Sequence, residues 1–480
     1  MAARRIFPGL TLVAAAVLAG CGTLAPDYQR PAAPVAGAFP EAGGTTGPGA
    51  VAAADLPWQQ FFRDERLKRL VGIALANNRD LRVAVLNIEQ ARAQYGVQRA
   101  DLFPTLGVGV SGNRVSTDSG INSTYQAGLA VSSYELDLFG RVRSLNNAAL
   151  ASYLATEEAR KAVHIGLIAS VANGYLALQA DDELLRVTRE TLATRAESLK
   201  LTQLRFDVGA SSQLDLRQAQ SLYEAARATH AQLLRQRAQD ENALVLLLGQ
   251  PLPGDLPAAL PLSEQAALPE LPAGLPSQVL TRRPDVLQAE QQLIAANARI
   301  GAARAAFFPQ ITLTATAGSA SSELSGLFKG GSTGWTFAPQ LLMPIFDAGR
   351  NRANLDSANA GRDIAVAQYE KAVQAAFREV ADALAGRATL GEQLAALQAQ
   401  VKAEQGRVEL AELRYRNGAA SYLDLLDAQR SLFAAQQSEV QVRALQAQNL
   451  VTLYRVLGGG WREADATTAA AAAPAASAPR

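Results

Sequence analysis

Three aspartates that follow two glycine turns are the side chains of this sequence best placed to act on charge. Asp215 stands three residues after Ser212, and Asp424 stands three residues after Ser421. A Ser-x-x-Asp spacing predicts a capping box at the start of a helix, and the helix dipole also favours a carboxylate there. Capping therefore explains these two carboxylates without a further role. Asp427 lies one helical turn beyond Asp424 and needs a separate explanation.

Asp427 has no acidic counterpart in the first half of the chain, where the equivalent residue is Gln218. Asp424 and Asp427 have the i, i+3 spacing that places two side chains on one face of a helix. Several copies of this pair around an axis would narrow a pore and favour cations. We therefore expect Asp424 and Asp427 to form a constriction, with a solvated helix face as the alternative.

No residue pattern in the sequence predicts an enzyme. His164 and His230 lie in helical stretches without Cys or His neighbours at metal-ligand spacing, and no glycine-rich phosphate loop or nucleophile elbow occurs. We expect no metal and no cofactor apart from a covalent lipid. The 45 basic and 44 acidic residues give a net charge of +1, so no nucleic-acid partner is expected.

Cys21 is the only cysteine of the 480 residues and ends an apolar N-terminal run. Arg4 and Arg5 followed by this short run predict a secretory signal over residues 1–20. Leu18-Ala19-Gly20-Cys21 resembles the lipobox of bacterial lipoproteins, whose cysteine is acylated; an ordinary cleavage site is the alternative. Gly22 follows, not the aspartate that retains such proteins in the inner membrane, so outer-membrane delivery is expected. Residues 21–56, rich in Ala, Pro and Gly, predict a flexible lipidated tether.

The sequence contains an internal repeat. A repeat of about 200 residues is expected at 57–250 and again at 277–458, with a proline-rich connector at 251–276 and a disordered tail at 459–480. Residues of the first copy return 209 positions later, among them Leu204 and Leu413, Gly209 and Gly418, Asp215 and Asp424, and Gly249 and Gly458. At the start of each copy the offset is 205, as for Gly96 and Gly301.

Each repeat carries one predicted β-hairpin, at residues 104–137 and 309–345. Apolar residues alternate there with Gly, Ser and Thr, as at Leu106, Val108 and Val110. Strands of about ten residues can cross a bilayer when tilted, and the small polar face suits a wet interior. No apolar run of 18 residues follows the signal, so a membrane crossing must use strands; an ordinary soluble hairpin is the alternative.

Long helices follow both hairpins. Proline-free stretches at 141–204 and 350–413 predict helices of roughly 96 Å, and return helices are expected at 212–248 and 421–457. The helices expected before the hairpins, near 70–102 and 277–307, would stack on the return helices. This predicts four helical columns per chain, two continuous and two composite.

Four strands cannot close a barrel, and an open sheet edge in lipid leaves backbone groups unpaired. The chain must therefore oligomerise. Eight strands are filled by side chains, whereas twelve leave a lumen. A channel therefore needs at least three copies.

With these elements in place, the sequence resembles the TolC family of outer-membrane efflux proteins, and specifically its lipid-anchored branch that serves resistance-nodulation-division pumps. The resemblance covers nearly all of residues 57–458. It rests on short blocks in the same order: Trp58, Phe61-Phe62, Phe103-Pro104, Asp137-Leu138-Phe139-Gly140-Arg141, Thr281-Arg282-Arg283-Pro284-Asp285, Pro344-Ile345-Phe346 and Tyr422 to Gln429.

The resemblance implies an α+β fold of mainly long helices, in which a homotrimer builds a twelve-stranded transmembrane β-barrel on a twelve-helix periplasmic α-barrel. It also implies a passive exit duct for small molecules such as drugs. A periplasmic adaptor protein and an inner-membrane pump of the resistance-nodulation-division type would be its partners, together with outer-membrane lipid. The duct of a type I protein secretion system and a structural envelope lipoprotein are the alternatives.

Family members close the periplasmic entrance with residues that align with Tyr415, Asp215, Asp424 and Asp427. The exposed turns at Val208, Gly209, Asn417 and Gly418 are the expected adaptor contacts. Relatives also carry an arginine two residues after the second turn glycine, where this sequence has Ala420. The sequence therefore leaves open which basic residue pairs with the entrance carboxylates.

Overall fold

The computed structural model describes residues 22–39, 56–118, 120–264 and 277–461. The expected signal over 1–20, Cys21, the middle of the connector and the tail beyond Trp461 lie outside the described residues. The described chain is mainly helical with one small sheet, consistent with the predicted α+β class. Its helices and strands are α1 Trp58–Phe61, α2 Glu65–Asn77, α3 Arg79–Ala100, β1 Leu106–Thr117, β2 Gly120–Glu135, α4 Arg141–Asp207, α5 Gln213–Leu248, α6 Pro284–Ala305, β3 Gln310–Ser321, β4 Thr333–Leu342, α7 Arg350–Arg416 and α8 Tyr422–Val456.

The helix expected near residues 70–102 is wrong as a single element, because the chain breaks at Asn78 into α2 and α3. The Asn78 side-chain oxygen accepts a hydrogen bond from Leu81 N at 2.9 Å, which caps the start of α3. Its amide donates to the Leu247 carbonyl at 2.9 Å. The second copy differs again: a 3₁₀ turn covers Ser277–Arg282, and α6 begins at Pro284, a favoured first helical residue.

The described chain forms two compact units. Among the described residues, the sheet unit combines those up to Ala33 with those in Val85–Ala159 and Asp285–Ala372. The helical unit combines the described residues of Pro34–Ala84 and Arg160–Pro284 with Val373 to Trp461.

The sheet unit contains four antiparallel strands in the order β1-β2-β3-β4. Each hairpin pairs internally, and β2 pairs with β3, so the sheet joins the two repeats. Both outer strands, β1 and β4, have one side that no other described strand pairs with.

One face of this sheet is apolar across all four strands. Val108 pairs with Leu129, Leu129 with Ala317, and Ala317 with Trp335. Val108 and Trp335 are 82% and 78% exposed within the single chain. The neighbouring row, on the opposite face, consists of Gly107, Ala130, Thr316 and Thr336. In these rows the sheet therefore has mostly large apolar side chains on one face and only small residues, Gly, Ala and Thr, on the other.

The block from Asp137 to Arg141 builds the corner between β2 and α4. The Asp137 carboxylate accepts a hydrogen bond from Arg143 N at 2.8 Å, and Phe139 stacks on Phe308 with ring centroids 4.7 Å apart. Gly140 has a φ of 74°, which favours glycine. Arg141 forms an ion pair with Glu135, the last residue of β2. These contacts fix how the sheet continues into the long helix.

Part of the segment predicted as a flexible tether, residues 21–56, contacts the rest of the chain. Residues 24 to 30 hydrogen-bond to α6. Within the helical unit, Phe39 stacks on Phe377 with ring centroids 4.6 Å apart. Composition alone suggested a linker, whereas specific polar contacts hold this segment.

Stacked aromatic side chains and hydrogen-bonded polar side chains lie within the core of the helical unit. Phe61 is fully buried and stacks on Tyr454 at 4.0 Å. Asp64 is also fully buried, and its carboxylate accepts hydrogen bonds from Tyr175 Oη at 2.8 Å and Leu260 N at 3.2 Å. Burial, and then the bond to Asp64, raises the pKa of Tyr175. Buried Arg283 donates to the Val456 carbonyl at 3.1 Å.

Within the described residues one helix, α4, contains an 18-residue window with a mean hydropathy of 1.3. Because 56% of that window is buried against the rest of the chain, we interpret it as a core helix.

Candidate functional site

Two glycine turns connect the long helices to the return helices. Gly209 and Gly418 have φ angles of 73° and 72°, in the left-handed region that glycine adopts at low cost. Ala210 N donates to the Arg205 carbonyl at 2.7 Å, and Ala419 N donates to the Arg414 carbonyl at 2.8 Å. We call these the first tip (Arg205–Asp215) and the second tip (Arg414–Asp427).

Both tips carry the capping box that the Ser-x-x-Asp spacing predicts. The Ser212 hydroxyl accepts from Asp215 N at 3.1 Å, and the Asp215 carboxylate accepts from Ser212 N at 3.2 Å. Ser421 and Asp424 repeat this exchange at 3.3 and 3.0 Å. The hydrogen bonds from Ser421 lower the pKa of Asp424. Both aspartates thus start their return helices.

Asp427, the residue without an acidic counterpart, forms an ion pair with Arg407 of α7. Arg407 also lies 3.3 Å from Glu404. The bond to Asp427 raises the pKa of the Arg407 guanidinium. Within one chain, Asp427 thus pairs with an arginine of the preceding helix, while Ala420 carries no charge.

Tyr415 is held by the first repeat. Arg205 Nη1 donates to its hydroxyl at 3.0 Å, and the same guanidinium lies 5.3 Å from the centre of its ring. The neighbouring Tyr422 hydroxyl lies 3.0 Å from the hydroxyl of Ser198. Two hydrogen bonds therefore join α4 to α7 and α8 near the second tip.

Asp424 faces an open groove of about 610 Å³ beside α7. Lys402, Arg407 and Arg414 also line this groove. Within one chain, basic side chains thus outnumber the carboxylate on this surface.

The turn residues themselves project into solvent, and Val208 is 78% exposed. Asp424 and Asp427 both lie beside Arg407, whereas Tyr415 contacts Arg205 and Tyr422 instead. Asp215 belongs to the first tip. Arg205 and Arg407 were not predicted from the sequence. A comparison of the two repeats points to Arg407. The residues equivalent to Arg407 and Asp427 in the first repeat are Ser198 and Gln218, so both positions are charged only in the second repeat.

Comparison with known proteins identifies the family of this chain. The model of the outer membrane efflux protein family matches residues 70–250 and 275–459. This chain belongs to that family. It is 51% identical to the antibiotic efflux pump outer membrane protein ArpC of Pseudomonas putida, over 94% of this chain and 95% of the relative. It is also 51% identical to the solvent efflux pump outer membrane protein SrpC of the same species, over 95% and 98% of the two chains.

Solved structures agree with the family. The open-state crystal structure of the Neisseria gonorrhoeae MtrE outer membrane channel is similar with a TM-score of 0.84 and 43% identity. The similarity covers 92% of this chain and 99% of that one.

Membership of this family settles the broad function. The protein is an outer-membrane channel protein for efflux and is not an enzyme. No group of three or more His, Cys, Asp or Glu residues suited to a metal occurs in the described part of the chain.

Proposed function

We propose that three copies of this chain form the passive exit duct of a tripartite efflux system, with a twelve-stranded β-barrel in the outer membrane and a periplasmic tunnel of long helices. The observation that carries the proposal is the apolar face of the sheet, which is continuous from Val108 to Trp335 and exposed in the single chain. A large exposed apolar face needs a partner, and lipid is the partner that suits outward-facing strands of 10 to 16 residues.

The unpaired edges of β1 and β4 support the trimer. In a membrane each free edge would leave backbone N–H and C=O groups without partners. Pairing β1 of one copy with β4 of the next satisfies both edges. Three copies give twelve strands, the smallest closed set we expect to keep an open lumen.

Acylation of Cys21 is supported by the position of the next residue. A Cβ atom added to Gly140 would lie 2.9 Å from the Gly22 carbonyl oxygen, so the two backbones are in close contact. Gly140 lies at the corner between β2 and α4. A lipid on Cys21 would thus start where the strands end, at the inner leaflet of the outer membrane.

The partners we propose are a periplasmic adaptor protein and an inner-membrane pump of the resistance-nodulation-division type. The exposed turns at Val208, Gly209, Asn417 and Gly418 are the proposed adaptor contacts. The names of ArpC and SrpC support antibiotics and organic solvents as cargo classes.

The second tip is the proposed constriction. Asp424 and Asp427 supply its carboxylates, and Tyr415 is a further candidate on the same tip. Asp215 is kept as a weaker candidate, because capping accounts for its contacts. The ion pair of Asp427 with Arg407 ties α8 to α7 and would help to keep the entrance closed.

Accumulation of antibiotics, dyes and solvents in cells that lack this gene tests the proposal. We expect the wild-type gene to lower intracellular levels of a subset of the compounds, and the purified protein to run as a trimer and conduct ions in planar bilayers. A trimer that does not conduct, or a compound panel unchanged by the gene, would contradict the exit-duct function.

A further inference from the structure

Residues 24 to 30, which we call the N-terminal strap, make a regular series of hydrogen bonds to α6. Arg304 Nη1 donates to the Leu24 carbonyl at 3.2 Å, and Asn297 Nδ2 donates to the Pro26 carbonyl at 2.7 Å. Arg30 reaches Glu290 through two bonds of 2.7 Å.

Tyr28 also donates to the Glu290 carboxylate, at 2.9 Å. The Glu290 side chain is only 7% exposed, and Arg30 of the strap is its ion-pair partner. Burial, and then the bond to Glu290, raises the pKa of Tyr28.

The spacing of these contacts fits an extended chain lying along one helix face. Glu290, Asn297 and Arg304 are seven residues apart, which places them on one side of α6. Fourteen residues of helix rise about 21 Å. The six steps from Leu24 to Arg30 span about 20 Å in an extended chain. The strap and the helix therefore stay in register from end to end.

Two glycines let the strap approach closely. A Cβ atom at Gly301 of α6 would lie 2.7 Å from Ala25 N, and one at Gly140 would lie 2.7 Å from the Thr23 Cα. The equivalent glycines of the other repeat, Gly96 and Gly349, have no such neighbour within 4 Å.

The first repeat shows that this surface is not a requirement of the fold. α3 is the counterpart of α6, and Val85 and Arg92 stand where α6 has Glu290 and Asn297. Val85 is exposed, and none of the strap's hydrogen bonds reaches α3. Glu290 and Asn297 thus occur only in the repeat that carries the strap, whereas Arg304 has an arginine counterpart, Arg99.

We propose that the strap and the Glu290–Asn297–Arg304 face of α6 form a clasp that holds the acylated end of the chain at the corner between sheet and helices. The lipid then fixes the level at which the strands enter the membrane and does not act as a loose tether. This inference rests on the proposed acylation of Cys21, whereas docking of the strap itself requires no lipid.

Charge exchange tests the clasp. With a nitroxide on Gln29→Cys, in a Cys21→Ser background so that the label is unique, we expect an immobile spectrum. Arg30→Glu or Glu290→Arg should make the label mobile, and the double exchange should immobilise it again. Val85→Arg, the same change at the equivalent residue of α3, should leave the spectrum unchanged.

Should Glu290→Arg fail to fold, the strap variant Tyr28→Phe/Arg30→Gln leaves α6 intact and should still free the label. A label that stays immobile in these strap variants, or a double exchange that does not restore it, would overturn the clasp.

The functional arm uses acylated protein with Cys21 retained. Strap variants should lower rescue of efflux to the level of Cys21→Ser while mass spectrometry still finds the acyl group, and full rescue would overturn the clasp's role. A wild-type mass without acyl chains would refute the proposed lipidation and the lipid-positioning role together. The label experiment would then still decide whether the strap docks.

Discussion

At the first and second tips the backbone follows the same path, with turn glycines at φ 73° and 72° and a capping box on each return helix. The side chains on the helices next to the two turns differ. The second tip has the Arg407–Asp427 ion pair, whereas the first has Ser198 and Gln218 at the equivalent positions.

This difference separates the requirements of the fold from those of function. Features common to both tips, such as the turn glycines and the capping serines, are what a helix reversal needs. Features of one tip, such as Asp427 and Tyr415, are the better candidates for a gate. Experiments on equivalent residues of the two repeats can therefore distinguish the two roles.

The largest effect is expected at the turn glycines. Gly209→Val or Gly418→Val forces a β-branched residue into the left-handed region, at a cost of about 1–2 kcal/mol or more, and adds bulk to the proposed adaptor surface. Either variant should abolish export in accumulation assays while trimers persist on native gels. Loss of trimers in both would mean that the turns have only a structural role.

Arg205→Ala should have the next largest effect. It removes the hydrogen bond and the ring contact that hold Tyr415, together about 1–2 kcal/mol. Arg414→Ala, the matched change in the second repeat, loses a 3.3 Å bond to the Ala419 carbonyl and a solvent-screened charge near Asp424, but no contact with an aromatic ring. Thermal unfolding should show a clear drop in Tm for Arg205→Ala alone. Equal Tm values would argue against a specific α4–α7 link.

The capping serines should behave alike. Ser212→Ala and Ser421→Ala should each reduce the free energy of unfolding by about 1 kcal/mol. The hydrogen bonds from Ser421 lower the pKa of Asp424 in the folded protein. The stability that this pKa shift supplies is therefore present above the ordinary carboxyl pKa of about 3.9, and it is lost as pH falls through the lowered pKa of Asp424. Denaturant titrations at pH 7 and pH 3 check both points. Unequal losses at pH 7 would show that one cap has a further role.

The smallest change in stability is expected for Arg407→Ala, since its ion pair with Asp427 is exposed and screened by solvent. Its effect on permeation should be easier to detect, because Asp427 is left without its counter-charge. Reversal potentials in a salt gradient should shift toward higher cation selectivity, and Ser198→Ala should not shift them. A shift toward anions would contradict the assignment of Asp427 to the pore.

Sequence reasoning predicted the local features and missed the tertiary ones. The capping boxes follow from Ser-x-x-Asp because both partners lie within one helical turn. Arg407 and Asp427 are 20 positions apart on two different helices, so their pairing depends on how α7 and α8 pack against each other. The strap was interpreted as part of a linker because residues 21–56 as a whole are rich in Ala, Pro and Gly. Its recognition depends on Tyr28 and Arg30 meeting Glu290 about 260 residues away.

Single-channel conductance in planar bilayers tests the central claim most directly. Asp424→Ala/Asp427→Ala should raise the conductance and reduce cation selectivity. Asp215→Ala/Gln218→Ala, which loses the same cap at the first tip, should stay close to wild type. Equal changes in the two double variants, or none in either, would contradict an entrance constriction built from the second repeat.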